Sequence, residues 1–255
     1  MFDWLFKPSC PCDPLAKAWV EERLAWLDAE FNDSAFTGRR IVLPNAQWFP
    51  ERYEPNEGWL KTTLDRVCDY MDVDAELVEY ELFDESGKPQ MVNSMGQSMG
   101  GTAGTFQFIN GRFLIRVEQQ QLGDPMSLVG TLAHEIALAK LLGDGIIDPE
   151  VYDHELVTDL TVVHMGLGIF MANQPTAMVS RMTNWPDSEL KKPEYMSAPM
   201  FGWALAHLAW FRGEAKPVWS KYLEWGAQAN FKQGLRYLFH REDSKYLPVK
   251  LRKQG

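Results

Sequence analysis

Within the stretch TLAHEIALAKLLG, Thr131 to Gly143, a histidine and a glutamate stand side by side in an otherwise apolar run. At about 100° per residue, Leu138 and Leu141 share the face of His134, while Leu128, Val129, Leu132 and Ile136 cover the far side. The spacing predicts a helix that is apolar nearly all round and therefore buried, and a buried imidazole or carboxylate needs a partner because its desolvated charge is costly. A metal ion, a reacting group or a hydrogen-bonded core neighbour would each supply one. His-Glu on a buried helix is also the first half of H-E-x-x-H, in which two histidines one turn apart hold zinc and the glutamate activates the bound water. Leu138 occupies the second histidine's place here, and a side chain without a lone pair cannot ligate.

A second polar set follows in DHELVTDLTVVHMGLGIF, Asp153 to Phe170. Glu155 and Asp159 are four residues apart, so about 40° apart on one helical face that continues through Val162 and Gly166. A close helix–helix contact, with Gly166 permitting the approach, would bring this acidic couple to His134. Glu155 would then be the metal ligand, and Asp159 would accept the second N–H of His134 and fix its tautomer. His154 stands about 100° further round and reaches the same point only if the helix begins irregularly, which makes it an alternative ligand. His164 falls on the opposite face, and His207, in the apolar GWALAHLAWF, is expected to be a satisfied core histidine.

This arrangement resembles the gluzincin branch of the zinc metallopeptidases, in which H-E-x-x-H on one helix precedes an E-x-x-x-D motif on the next. By that resemblance His134 matches the first zinc ligand, Glu135 the general base, Glu155 the third ligand and Asp159 the outer carboxylate, whereas Leu138 matches nothing functional. The order TLAHEIALAKLLGDGIIDPE, DHELVTDLTVV, GLGIFMAN, PMFGWALAHLAW and FKQGLRYL is similar to a bacterial family of zincin-like proteins that usually has histidine at the position of Leu138. The resemblance implies a zincin fold with a substrate strand beside the active-site helix, for which the hairpin Thr105 to Glu118 is the candidate. It implies zinc as cofactor, weakened or lost with Leu138, and a peptide or protein segment as partner in the groove. Two functions follow: a degraded site used for binding or regulation, or an atypical metal-dependent amide hydrolase with Glu135 as base.

The elements that must position these residues read in order along the chain. DPLAKAWVEERLAWLDAEF is expected to be a helix, with Asp13 as cap and Pro14 in the first turn. RRIVLP reads as a short strand, a helix is expected from Glu57 to Met71, and ELVEYELF alternates as a half-buried strand should. The polar, glycine-rich run Ser86 to Gly104 reads as a loop, and Asn110-Gly111 between two alternating runs is a hairpin signal. Beyond Gly123 helices are expected over 125–142, 150–173, 198–212 and 217–240. These expectations describe one α+β domain over residues 1–255, with its sheet in 1–123 and its helical half in 124–255.

Composition narrows the function classes. The chain has 255 residues, a formal charge of −10 and 45% hydrophobic residues, so it can bury a sizeable core, and its charge opposes binding to nucleic acid or to anionic membranes. MFDWLFKPSCPCDP lacks the basic, apolar, small-residue order of a secretory signal, and the apolar runs at 165–172 and 198–211 are short for a bilayer, which predicts a cytoplasmic protein with no membrane partner. Three cysteines exclude a disulfide scaffold, and Cys10 and Cys12 are expected to be free thiols rather than a metal pair.

Overall fold

The computed structural model describes residues 8–31, 38–84, 104–109 (backbone), 111–148, 150–174 and 195–246. Helix α1, Pro14–Glu30, starts at Asp13, whose carboxylate accepts the N–H groups of Leu15 and Ala16 at 3.0 Å, two donors that an uncapped helix would leave unsatisfied. It buries Val20, Leu24 and Leu27. Helix α2, Glu57–Tyr70, is capped in the same way by Asn56, which accepts from Trp59 N at 2.9 Å. Between them RRIVLP joins no sheet, contrary to the expected strand. Its Val42 N–H instead donates to the Gly166 carbonyl at 3.0 Å, a single bond to a loop and not a ladder.

Among the described residues three strands form one sheet in the order β1, β3, β2: β1 is Val78–Phe83, β2 Gly104–Ile109 and β3 Arg112–Glu118. The hairpin pair β2–β3 is antiparallel, with Gly111 at φ +80° in its turn; Asn110 lies outside the described residues. The pair β1–β3 is parallel, so the sheet is mixed where a mostly antiparallel one was expected. A long intervening segment allows this, since parallel neighbours need a crossover of a dozen or more residues rather than a tight turn. That segment contains the glycine-rich run 86–104, nearly all of which lies outside the described residues. Phe113, Ile115 and Val117 of β3 point into the core, and on the other face Arg112 and Arg116 pair with Glu79 and Glu81 of β1 at 2.5 and 2.8 Å.

The helical half opens with α3, Pro125–Gly143, capped by Asp124 and packed against α2, β2 and α4, His154–His164. The helix expected over 150–173 is two, because Gly166 interrupts it before α5, Gly168–Ala172. Gly166 has φ +93°, and a Cβ there would stand 2.4 Å from the Arg40 carbonyl oxygen. The close approach assigned to Gly166 is therefore to that loop and not to α3. Helices α6, Ala198–Phe211, and α7, Trp225–Arg241, cross tightly at Gly202, where an added Cβ would lie 2.5 Å from Asn230 Cβ. Helix α7 begins later than expected because Val218–Tyr222 forms a separate 3-10 turn and Glu224 is extended.

The fold is α+β and mostly helical, and one apolar cluster runs from Cys12 and Val20 through Leu64, Ile115, Leu132 and Leu160 to Trp203, Phe231 and Tyr246. Among the described residues α3 alone is long and apolar enough to cross a membrane, and most of it is buried inside the protein.

Candidate metal-site remnant at the contact of helices α3 and α4

Helices α3 and α4 meet so that His134 sits between the two carboxylates. Its Nδ1 is 3.0 Å from Asp159 Oδ1, and its Nε2 is 3.0 Å from Glu155 Oε2. A neutral imidazole has one N–H and would leave one of these contacts without a proton, so the geometry fits the doubly protonated ring. Burial alone would push the His134 pKa down, but the hydrogen bonds to Asp159 and Glu155 outweigh it and hold the pKa at about 10. Glu155 shows the counterpart: burial raises it, and the bond to His134 brings it below the usual carboxylate range.

Asp159 is buried and fully engaged. Its second oxygen accepts the Met196 backbone N–H at 2.8 Å, so it holds the imidazole from outside and has no free oxygen to offer an ion. The segment that brings Met196 also brings Tyr195, whose ring lies 6.0 Å from that of His134. His154 belongs to the cluster, because α4 does begin irregularly. Its cap residue Asp153 (φ −109°, ψ 22°) makes no side-chain bond to the helix; instead its buried carboxylate accepts the Trp19 indole N–H at 2.7 Å and the Arg23 guanidinium at 2.8–3.0 Å. The first turn is thus tied to α1 and not to its own amides. His154 Nδ1 then lies 3.0 Å from the Val151 carbonyl, which can only accept, so Nδ1 carries a proton and Nε2 faces Glu155 Oε1 at 3.3 Å.

Glu135 lies on the same helix as His134, 6% exposed, and its Oε2 is buried with no hydrogen-bond partner among the described residues. Burial raises its pKa, the neighbouring His134 pulls it back, Glu155 raises it again, and the result is about 7. Such a group exchanges a proton near neutrality, as a general base must. Leu138 is buried but stands outside the contiguous apolar core, one turn beyond His134.

The donors do not complete a zinc site. His134 Nε2 is committed to Glu155, Asp159 is committed on both oxygens, Leu138 offers no lone pair, and among the described residues no three His, Cys, Asp or Glu side chains are arranged to hold a metal ion. His164 and His207 lie elsewhere. His164 is buried, with its pKa pushed down to about 3, and its ring is 5.6 Å from Phe31. His207 is buried, with its pKa near 4, bonded to Trp203 O at 3.0 Å and Ser244 Oγ at 2.8 Å. The three cysteines are free thiols, and burial raises Cys68 to about 12.

The sequence reading did not find Asp153, Trp19, Arg23 or Met196. Trp19 and Arg23 are one turn apart on α1, but nothing in their spacing points to a carboxylate more than a hundred residues away. Comparison of the chain with family models, with curated proteins and with solved structures finds no match.

Proposed function

We propose that this is a divergent zincin-like protein in which a proton on His134 has taken the place of the metal, and that it binds a peptide or protein segment without efficient cleavage. One observation carries this reading: the ring nitrogen that would face zinc is 3.0 Å from the carboxylate that would be the other ligand, with Leu138 in the remaining ligand's position. Closing the site in this way satisfies the buried charges as a protonated ion cluster and leaves Glu135 as a proton-exchanging group with no metal-bound water to act on. Among the described residues β2 is an edge strand and lies against α3, which supports a groove where an extended segment could add to the sheet. Three free thiols accord with a reducing, cytoplasmic setting.

A second reading is favoured by His154, whose Nε2 is 3.3 Å from Glu155 Oε1: if a metal ion displaced the protons between these groups, His134, His154 and Glu155 would be an atypical ligand set for a metal-dependent amide hydrolase with Glu135 as base. Metal analysis of the protein purified without chelator, beside its Leu138→His variant, separates the two. The degraded site predicts zinc at one equivalent in the variant and below about a tenth of an equivalent in the parent, since one lost ligand weakens binding steeply. Stoichiometric zinc in the parent would establish the second reading, and zinc in neither would remove both.

A further inference from the structure

On another side of α3, away from His134, lies a cavity of about 320 Å³. Val129, on its wall, is about 140° round the helix from His134. Four aromatic residues from separate parts of the chain line it: Phe49 and Tyr53 from the segment before α2, Trp59 from α2 and Phe170 from α5. They are held as two crossed pairs, Phe49 with Phe170 at 5.7 Å and 74°, and Tyr53 with Trp59 at 4.9 Å and 84°. Tyr53 is fixed by its hydroxyl, which donates to the Leu122 carbonyl.

Among the described residues the only charged side chain on the wall is Glu51. Both of its oxygens are held by the Arg66 guanidinium, Oε2 accepting from Nε at 2.8 Å and Oε1 from Nη2, which fixes the carboxylate at the wall while Arg66 itself stands behind it. The wall's amide is also spoken for: Asn45 Nδ2 donates to the Tyr222 hydroxyl at 3.2 Å and its Oδ1 accepts from Gln47 N at 3.0 Å. The aromatic rings favour a cation, and the carboxylate, nearer to the cavity than its Arg66 partner, adds to that preference and opposes an anion. A primary ammonium or a guanidinium would lose water from several N–H groups and find few free acceptors in exchange. A methylated ammonium has no N–H to satisfy and presents apolar methyl groups to the rings. The volume is at the small end of ligand pockets, which run from about 300 Å³ upward, and suits a compact head group.

We propose that this cavity binds a small trimethylammonium compound, with Phe49, Tyr53 and Trp59 around its methyl groups, Phe170 buttressing Phe49 from behind, and the Glu51 carboxylate, held in place by Arg66, as the nearest negative charge. The site is independent of the His134 cluster and holds whichever reading of that cluster is correct.

Titration calorimetry of the full chain with choline and with its uncharged isostere 3,3-dimethylbutanol tests this directly. Saturable choline binding is expected, about 5- to 30-fold tighter than that of the isostere. Glu51→Gln should weaken choline and leave the isostere unchanged, and Tyr53→Leu should weaken choline about 5-fold or more. Far-UV circular dichroism checks that each variant folds, and Glu51→Gln alone decides the matter if Tyr53→Leu does not. Equal affinity for the two ligands would mean a merely apolar cavity and would overturn the proposal, as would the absence of saturable choline binding or an unchanged choline affinity in Glu51→Gln.

Discussion

A carboxyl group that is buried without a hydrogen bond keeps its proton to higher pH than one in water, and Glu135 is such a group, with a pKa near 7 against an ordinary value of 4.5. Because the folded value is the higher, the folded protein binds the Glu135 proton more tightly than the unfolded chain does. Stability from this residue is therefore intact below about pH 4.5 and falls as the pH rises to 7. Glu135→Gln removes the charge while keeping the shape, so the variant should be more stable than the parent by about 1–3 kcal/mol at pH 8 and level with it near pH 4. Urea unfolding at both pH values measures the gap, and equal midpoints at pH 8 would show that Glu135 has a partner in solution. His134 acts in the same direction over a higher range. Its raised pKa stabilises the fold fully below its unfolded value of 6.5, and that contribution fades as the pH climbs toward 10.

Where α4 begins is decided by α1. Asp153 gives its carboxylate to Trp19 and Arg23 rather than to its own helix amides, and this places His154 and Glu155 side by side. Asp153→Ala would remove the carboxylate that accepts the buried indole N–H and faces the half-buried guanidinium, a loss of about 1–3 kcal/mol in thermal or urea unfolding. It should also release the first turn of α4, seen as a changed His154 ring signal by NMR while the His207 signal stays in place. Where α4 ends is decided by Gly166. An alanine there meets both an unfavourable φ of +93° and the Arg40 carbonyl, so Gly166→Ala should cost about 2–4 kcal/mol. A cost below 0.5 kcal/mol would mean that the 38–42 loop moves freely, since unstrained surface changes stay within about that range.

Sheet and helices share one apolar cluster, to which α1, α3, α4 and α6 all contribute. The polar ties run just as far along the chain: Lys245 N–H donates to Glu21 of α1 at 3.0 Å, and Ser244 bonds His207 of α6. With so many contacts joining distant segments, the sheet-bearing and helical halves should unfold in one cooperative step. Urea curves followed by far-UV circular dichroism and by tryptophan fluorescence should coincide, and two separated midpoints would divide the chain into independent units.

Local signals in the sequence were enough for the features that depend on near neighbours. Asp13-Pro14 and Asp124-Pro125 start helices because a short carboxylate can reach the first free amides, and Asn110-Gly111 places a hairpin because glycine tolerates the turn's positive φ. The convergence of His134, Glu155 and Asp159 was also legible, since helical phase puts the carboxylates on one face and a buried imidazole must find a partner. The direction of β1, the break at Gly166, the loop path of RRIVLP and the role of Asp153 were not legible, because each depends on a partner far along the chain. Residue spacing determined which groups could meet. Only the packing of α1 and of the 38–42 loop against the α4–α5 region decided the distances, and those distances leave His134 bound to a proton between two carboxylates.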